Sequence, residues 1–317
     1  MHKIVVLDGY VLNPGDLSWA PLETLGSVTV YDRTPAELIV QRIADADIVL
    51  TNKTPITRQT LLDCPSVRYV GALATGYNTI DTAAAKELGV AVTNVPAYST
   101  KAVAQFTMAL LLEVCHHVGE HSRGVMAGDW VKSADFSYWN YPQTELDGKT
   151  FGIIGMGQIG QATGKLADAF GMKVLYNAHS PKELPYPAEF CPLDELLARA
   201  DIVSLHCPLT SETNGIINRQ SISRMKKGAI LLNTARGPLV DEQAVADALR
   251  DGKLAGFAAD VVSREPMAAD SPLLGLPGCI LTPHIAWASH AARGRLMDVA
   301  IGNVFAFCDG KRQNRVE

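Results

Sequence analysis

The chain is poor in the features that mark nucleic-acid-binding, membrane-spanning or disulfide-stapled proteins. Charged residues are 19% of 317 and the net charge is -5. No basic block could track a phosphate backbone, and neither half is strongly acidic. The longest apolar run, around Met108 to Val114, is too short to cross a bilayer, so no membrane partner is expected. The six cysteines (Cys64, Cys115, Cys191, Cys207, Cys279, Cys308) form no C-x-x-C pair and lie far apart. That spacing excludes a zinc site and a disulfide framework and suits reduced, buried thiols in a cytoplasmic protein. The first residues, Met1-His-Lys-Ile-Val-Val-Leu-Asp8, lack a signal peptide's longer apolar core and small-residue cleavage site, and read as a first strand. No internal repeat or low-complexity segment is present.

What is present is an α/β chain long enough for two cores. Its central stretch is Thr150-Phe-Gly-Ile-Ile-Gly-Met-Gly-Gln-Ile-Gly160. A short apolar strand, Phe151 to Ile154, runs into Gly155, Gly157 and Gly160. A helical pattern follows, with Ile159, Ala162, Leu166, Ala169 and Phe170 at three- and four-residue steps. Such a strand, turn and helix can hold a pyrophosphate. The first glycine permits the tight turn, the second lets backbone approach the phosphates, and the third lets helix and strand pack closely. An ordinary strand–turn–helix would carry the same glycines, but this one opens a run of alternating strands and helices.

Upstream, apolar strands at Ile4–Leu7, Val28–Tyr31, Ile48–Thr51, Arg68–Leu73 and Val90–Thr93 alternate with helical pieces near Pro35–Ala44, Thr57–Leu62 and Thr79–Leu88. Strands apolar throughout suit a parallel sheet covered on both faces. Ser99 or Thr100 can cap a long helix through Ala102, Phe106, Leu110 and Glu113, expected to lie buried between domains or in a subunit contact. Then comes an aromatic stretch, Trp130, Phe136, Tyr138, Trp139 and Tyr141, either a packed surface loop or an interface arm. From Thr150 to Pro283 six strands are expected: Phe151–Ile154, Lys173–Tyr176, Ile202–Leu205, Ala229–Asn233, Gly256–Ala259 and Ile280–Thr282. A last helix spans Ala291 to Phe307. The fold class is thus two doubly wound parallel-sheet domains, a Rossmann cofactor domain and a smaller flavodoxin-like one.

In such sheets a ligand lies outside the carboxyl ends of the strands. After the fourth, fifth and sixth strands of the second domain come Arg236, Glu265 and His284. Together they suit reduction of a 2-oxo acid. Arg236 can grip a carboxylate with two prongs and polarise the adjacent carbonyl. His284 can deliver a proton to the oxygen as hydride reaches carbon. Glu265 can fix the imidazole tautomer and favour its protonated form. The plainer alternatives are a surface ion pair of Arg236 with Asp241 or Glu242, a turn residue before Pro266, and a core histidine.

At these residues the sequence resembles the D-isomer-specific 2-hydroxyacid dehydrogenases over essentially its whole length. The motifs are Gly155-Met-Gly-Gln-Ile-Gly160, His206-Cys-Pro-Leu-Thr-Ser-Glu-Thr213, Asn233-Thr-Ala-Arg-Gly-Pro-Leu-Val-Asp-Glu242, Glu265-Pro266 and Pro283-His-Ile-Ala286. Ala74-Thr-Gly-Tyr-Asn78 and His284-Ile-Ala-Trp-Ala-Ser289 resemble the glycerate dehydrogenase and hydroxypyruvate reductase branch. The resemblance implies catalytic roles for Arg236, Glu265 and His284. It implies that Ala74, Thr75 and Gly76 receive the substrate carboxylate with Arg236 and His284. For the cofactor it implies Thr75, Gln158, Ile159, Cys207, Pro208, Thr213, Thr234, Ala235, Asp260 (towards the carboxamide) and Ala286, besides the three glycines, Arg236 and His284. It implies a substrate domain of residues 1–98 and 288–317, an NAD(P)-binding domain of 99–287, a cleft between them, and a homodimer joined through the cofactor domain.

Two positions depart from the family pattern. Asn177 stands where an NAD enzyme usually has Asp or Glu for the ribose hydroxyls, and His179, Ser180 and Lys182 follow it. NAD is the expected cofactor, with NADP left open. Gln105 stands where many relatives have Glu. The rival readings are a D-lactate-type or formate-type dehydrogenase, the latter disfavoured by Glu265, and a non-catalytic nucleotide sensor. Arg293 is expected to add charge near the substrate or to be a solvated helix residue.

Overall fold

The computed structural model describes residues 1–317 and divides them into two compact units, Met1–Ser99 with Ala288–Glu317, and Thr100–Trp287.

Unit 1 begins with β1 (His2–Val6), α1 (Ala20–Glu23), β2 (Gly26–Val30), a 3-10 turn at Ala36–Leu38 and α2 (Ile39–Ile43). It continues through β3 (Ile48–Thr51), α3 (Arg58–Asp63), β4 (Tyr69–Ala72), α4 (Thr82–Glu87) and β5 (Ala91–Thr93). The strands form one parallel sheet in the order β2-β1-β3-β4-β5. β3, β4 and β5 are buried at every residue, which explains their unbroken apolar runs. The helices start where the sequence supplies caps. Thr57 and Thr60 make a reciprocal capping box on α3, and the Asp81 carboxylate accepts the Ala84 N–H at 2.9 Å on α4.

Unit 2 opens with α5 (Thr100–His116) and α6 (Val118–Met126). Then come β6 (Thr150–Ile154), α7 (Gln158–Ala169), β7 (Lys173–Asn177), β8 (Ala188–Phe190), α8 (Leu193–Arg199), β9 (Ile202–Leu205) and α9 (Arg219–Arg224). It ends with β10 (Ala229–Asn233), a 3-10 turn at Gly237–Leu239, α10 (Glu242–Arg250), β11 (Leu254–Ala259) and β12 (Cys279–Leu281). The sheet is parallel, in the order β12-β11-β10-β9-β6-β7-β8. There are seven strands rather than the six expected. The seventh, β8, is a three-residue edge strand with little buried surface, set by its pairing with β7 and carrying no apolar run of its own. The order reverses between β6 and β9, the switch point where ligands bind in such sheets. α5 packs its buried residues Val103, Met108, Leu110 and Leu111 within this unit, on α7, β10 and β11. α6 falls between the long helix and the aromatic stretch, where no element was expected. Gly119, Ser122 and Gly124 make it a poor helix by propensity.

α11 (His290–Cys308) returns the chain to unit 1. Leu296, Ala300 and Val304 recur at four-residue steps and are 0–3% exposed. Burying a Leu or Val side chain of this kind contributes roughly 1.5–3 kcal/mol. Phe307 lies against the Tyr69 ring of β4 at 4.9 Å. The last residues pair with β5, Val316 donating to Val92 at 3.0 Å, so that sheet edge is covered. Arg293 is not a solvated helix residue. It is 9% exposed and donates to both Asp16 carboxylate oxygens at 2.7 and 2.6 Å, and to the Leu12 and Ala288 carbonyls. Asp16 is thereby held below the usual carboxylate range. All six cysteines are free, four of them buried. No single helix is long and apolar enough to cross a membrane.

Candidate active site

The glycine turn is built as a pyrophosphate would need it. Gly155 has φ +97°, and a Cβ there would lie 2.4 Å from the Cys207 nitrogen. A Cβ on Gly160 would lie 2.2 Å from the Gly155 carbonyl oxygen, so helix and turn can touch only with glycine. A Cβ on Gly157 would meet nothing within 4 Å, leaving open space above the N-terminus of α7. Gly157 is the N-cap and no side chain caps that end. Gln158 and Ile159 therefore start the helix with N–H groups turned to open space. Spare donors, helix dipole and an uncrowded approach fit a dinucleotide's bridging phosphates.

Neighbouring strand ends continue the same edge. Asn177 ends β7, and its carbonyl accepts the Gly155 N–H at 2.9 Å. After β9, the Cys207 thiol is buried and Pro208 exposed. The Thr213 hydroxyl donates to the Pro208 carbonyl at 2.7 Å and accepts the Thr210 N–H, so it closes this turn. His206 lies between, its Nε2 2.9 Å from the Ser204 hydroxyl, and burial pushes its pKa down to about 4. A neutral imidazole therefore borders the glycine turn at neutral pH.

Three pins arrange the loops that carry Arg236, Glu265 and His284. The first is Asn233, 1% exposed at the end of β10. Its amide donates to the Arg236 carbonyl at 2.9 Å and accepts the Ala235 N–H at 3.0 Å. That turn leaves the Arg236 side chain exposed, with Nη1 2.6 Å from the Ala235 carbonyl and no carboxylate partner. Asp241 instead caps α10 through Ala244, and Glu242 accepts the Ser263 N–H at 2.6 Å, so the surface-ion-pair reading fails. Thr234, 9% exposed, hydrogen-bonds Thr107 of α5 at 2.8 Å.

The second pin is Gly237. A Cβ there would lie 1.9 Å from the Val262 carbonyl carbon, so the Arg236 loop and the Glu265 loop are in backbone contact. The Val262 N–H in turn donates to Glu265 Oε1 at 3.2 Å. The third is Asp260, 1% exposed. Its carboxylate accepts the Thr282 hydroxyl at 2.6 Å and the N–H groups of Ile285 and Ala286 at 2.8 and 2.7 Å. Three donors fill most of its acceptor sites and clamp the loop on both sides of His284. His284 itself has φ +55°, a left-handed backbone that a non-glycine residue holds only where the surroundings impose it. The Trp287 indole N–H donates to its carbonyl at 2.9 Å.

His284 Nδ1 lies 2.7 Å from Glu265 Oε2, and both side chains are about one-third exposed. The imidazole thus turns one nitrogen to an acid and leaves Nε2 without a protein partner. Neither a core histidine nor a bare turn glutamate describes them. The expected residues of the second unit stand together along one sheet edge. Ala74, Thr75 and Gly76 belong to unit 1, following β4. There the Thr75 hydroxyl donates to the Val95 carbonyl at 2.8 Å and Asn94 Nδ2 donates to the Thr75 carbonyl, which sets the loop. Sequence reading gave no role to Asn233, Thr282 or Val262, and offered Glu242 only as an alternative ion-pair partner of Arg236. Asn233 and Thr282 had a signal, each being a polar residue that closes an apolar strand.

The family model for the NAD-binding domain of D-isomer specific 2-hydroxyacid dehydrogenases matches residues 108–286. A hydroxypyruvate reductase of Blautia hydrogenotrophica is 54% identical, over 99% of both chains. A glycerate dehydrogenase of Methylorubrum extorquens is 40% identical over 90% of this chain and 89% of its own. Among solved structures, the TT0316 protein of Thermus thermophilus superposes with a TM-score of 0.87 at 37% identity, over 99% of this chain and 100% of that one.

Proposed function

The chain belongs to the D-isomer-specific 2-hydroxyacid dehydrogenases, and on that footing we propose that it reversibly reduces a small 2-oxo acid, hydroxypyruvate or glyoxylate, to D-glycerate or glycolate. The observation that carries this reading is the Glu265–His284 pair, clamped by Asp260 beside an exposed Arg236 on the edge that bears the glycine turn. Unit 2 is the cofactor domain and unit 1 the substrate domain. When bound, the nicotinamide supplies or takes up the hydride. His284 Nε2–H donates to the carbonyl oxygen and gives up its proton as the alkoxide forms; in the reverse direction the neutral imidazole removes it. Glu265 holds Nδ1–H and stabilises the charged ring. Arg236 binds the carboxylate and, by orienting it, turns the carbonyl towards the imidazole. Within unit 1, the backbone N–H groups of Ala74, Thr75 and Gly76 after β4 are donors suited to a carboxylate. Asp260 sets the His284 loop, and its three donors leave one acceptor site of the carboxylate for the carboxamide.

The protein acts as a homodimer joined through unit 2. The exposed Trp130, Val131, Phe136 and Trp139, on the stretch after α6, supply an apolar arm for it. A steady-state panel of small 2-oxo acids with NADH and NADPH tests the assignment. Hydroxypyruvate and glyoxylate should be turned over. Arg236→Ala should lose about 10²–10³-fold in kcat/KM, the usual cost of removing a charge-assisted anchor, with a much smaller change in dinucleotide affinity. A normal kcat/KM in that variant would defeat the reading.

A further inference from the structure

The chain leaving β7 is in a position to choose between two forms of the dinucleotide. Asn177 is hydrogen-bonded to Gly155 of the phosphate turn, so the residues after it border the adenosine ribose if the dinucleotide reading above holds. A carboxylate here would bind both ribose hydroxyls and repel a phosphate on the 2′ carbon. Neither Asn177 nor the following Ala178 provides one. The Asn177 amide nitrogen donates to the Cys191 carbonyl at 3.1 Å, which leaves Oδ1, a neutral acceptor, as its free end.

The segment that follows is not a loose tail. The Tyr176 phenol, 2% exposed, accepts the Lys182 N–H at 2.8 Å and donates to the Lys182 carbonyl at 3.3 Å. Residues 177–182 are thereby closed into one turn on the strand end. In it the Lys182 ammonium lies 3.4 Å from the Ser180 hydroxyl and has no carboxylate partner, and His179 is exposed beside them. Glu183, the next residue in the chain, is exposed and makes no ion pair with Lys182, and the acidic groups of β8 and α8 are engaged elsewhere. Glu189 of β8 and Glu195 of α8 both pair with Arg199, at 2.6 and 2.5 Å.

We propose that the turn Asn177–Lys182 receives a phosphate monoester on the adenosine 2′ carbon, with the Lys182 ammonium and the Ser180 hydroxyl as its donors, so that the protein prefers NADP(H) to NAD(H). A dianionic phosphate gains charge-assisted hydrogen bonds at this turn, whereas NAD(H) meets only a neutral amide. Such exposed contacts weaken with added salt.

Calorimetric titration of the intact protein tests this without turnover. Adenosine 2′,5′-bisphosphate should bind at least about tenfold tighter than 5′-AMP, NADP+ should bind tighter than NAD+, and both advantages should shrink with salt. Lys182→Ala should abolish the advantage and leave 5′-AMP affinity as it was; Ala178→Asp should reverse it. Equal or tighter binding of the unphosphorylated ligands overturns the proposal while leaving the dinucleotide reading intact. So does an advantage that survives Lys182→Ala combined with Ser180→Ala. Binding of neither dinucleotide overturns both.

Discussion

His206 is tied to the glycine turn through backbone, its N–H donating to the Ile154 carbonyl at 2.8 Å, and it is held neutral. Burial lowers its pKa from 6.5 to about 4. The unfolded chain therefore takes up a proton below pH 6.5 that the folded chain refuses until about pH 4. Its contribution to stability is fully present above pH 6.5 and falls as the pH drops through that window. His206→Gln keeps a donor or acceptor for Ser204 without the titration. The loss of unfolding free energy between pH 7 and pH 5, followed by urea denaturation, should be smaller in this variant by about 2 kcal/mol. The same scale separates what the chain discloses from what it withholds. Arg236, Glu265 and His284 could be picked out because each is a chemically loaded residue just after an apolar strand. Asn233 acts within its own turn, on Ala235 and Arg236, while the grip of Asp260 on Thr282 and on the N–H groups of Ile285 and Ala286 exists only once β11 and β12 are in register.

At the scale of elements, strands buried on both faces and the glycine turn were legible, since an apolar run and a glycine triplet need no tertiary context. β8 and α6 were not. One is a three-residue edge strand that exists through its pairing, and the other is a helix with two glycines. The glycines of unit 2 differ in kind, which gives a sharp expectation. Gly157→Ala adds a methyl to open space, so the protein should melt within a few degrees of the parent while dinucleotide affinity falls about tenfold or more. Gly237→Ala drives a methyl into the Val262 backbone, so both the melting temperature and turnover should fall together. Differential scanning fluorimetry beside a nucleotide titration separates the two. A Gly157→Ala protein that binds normally would remove the phosphates from that turn.

At the scale of the whole molecule, the stretch after α6 presents Phe136 at 90%, Val131 at 89% and Trp139 at 69% exposure, more apolar surface than a solitary chain usually leaves in one segment. Replacing Phe136 and Trp139 by Ser should shift the species seen by light scattering from dimer to monomer. An unchanged mass would move the contact elsewhere. The chemistry asks for a stricter test, because the proposed mechanism has His284 move a proton in every turnover. The most direct measurement is single-turnover reduction of hydroxypyruvate by the protein with bound reduced dinucleotide, compared with His284→Gln under the same conditions. The expected result is a rate about 10²–10⁴-fold lower in the variant, with a far smaller change in the dinucleotide dissociation constant. A variant that reduces hydroxypyruvate at close to the parent rate would contradict the role given to His284 and, with it, the reading of this edge as the site of reduction.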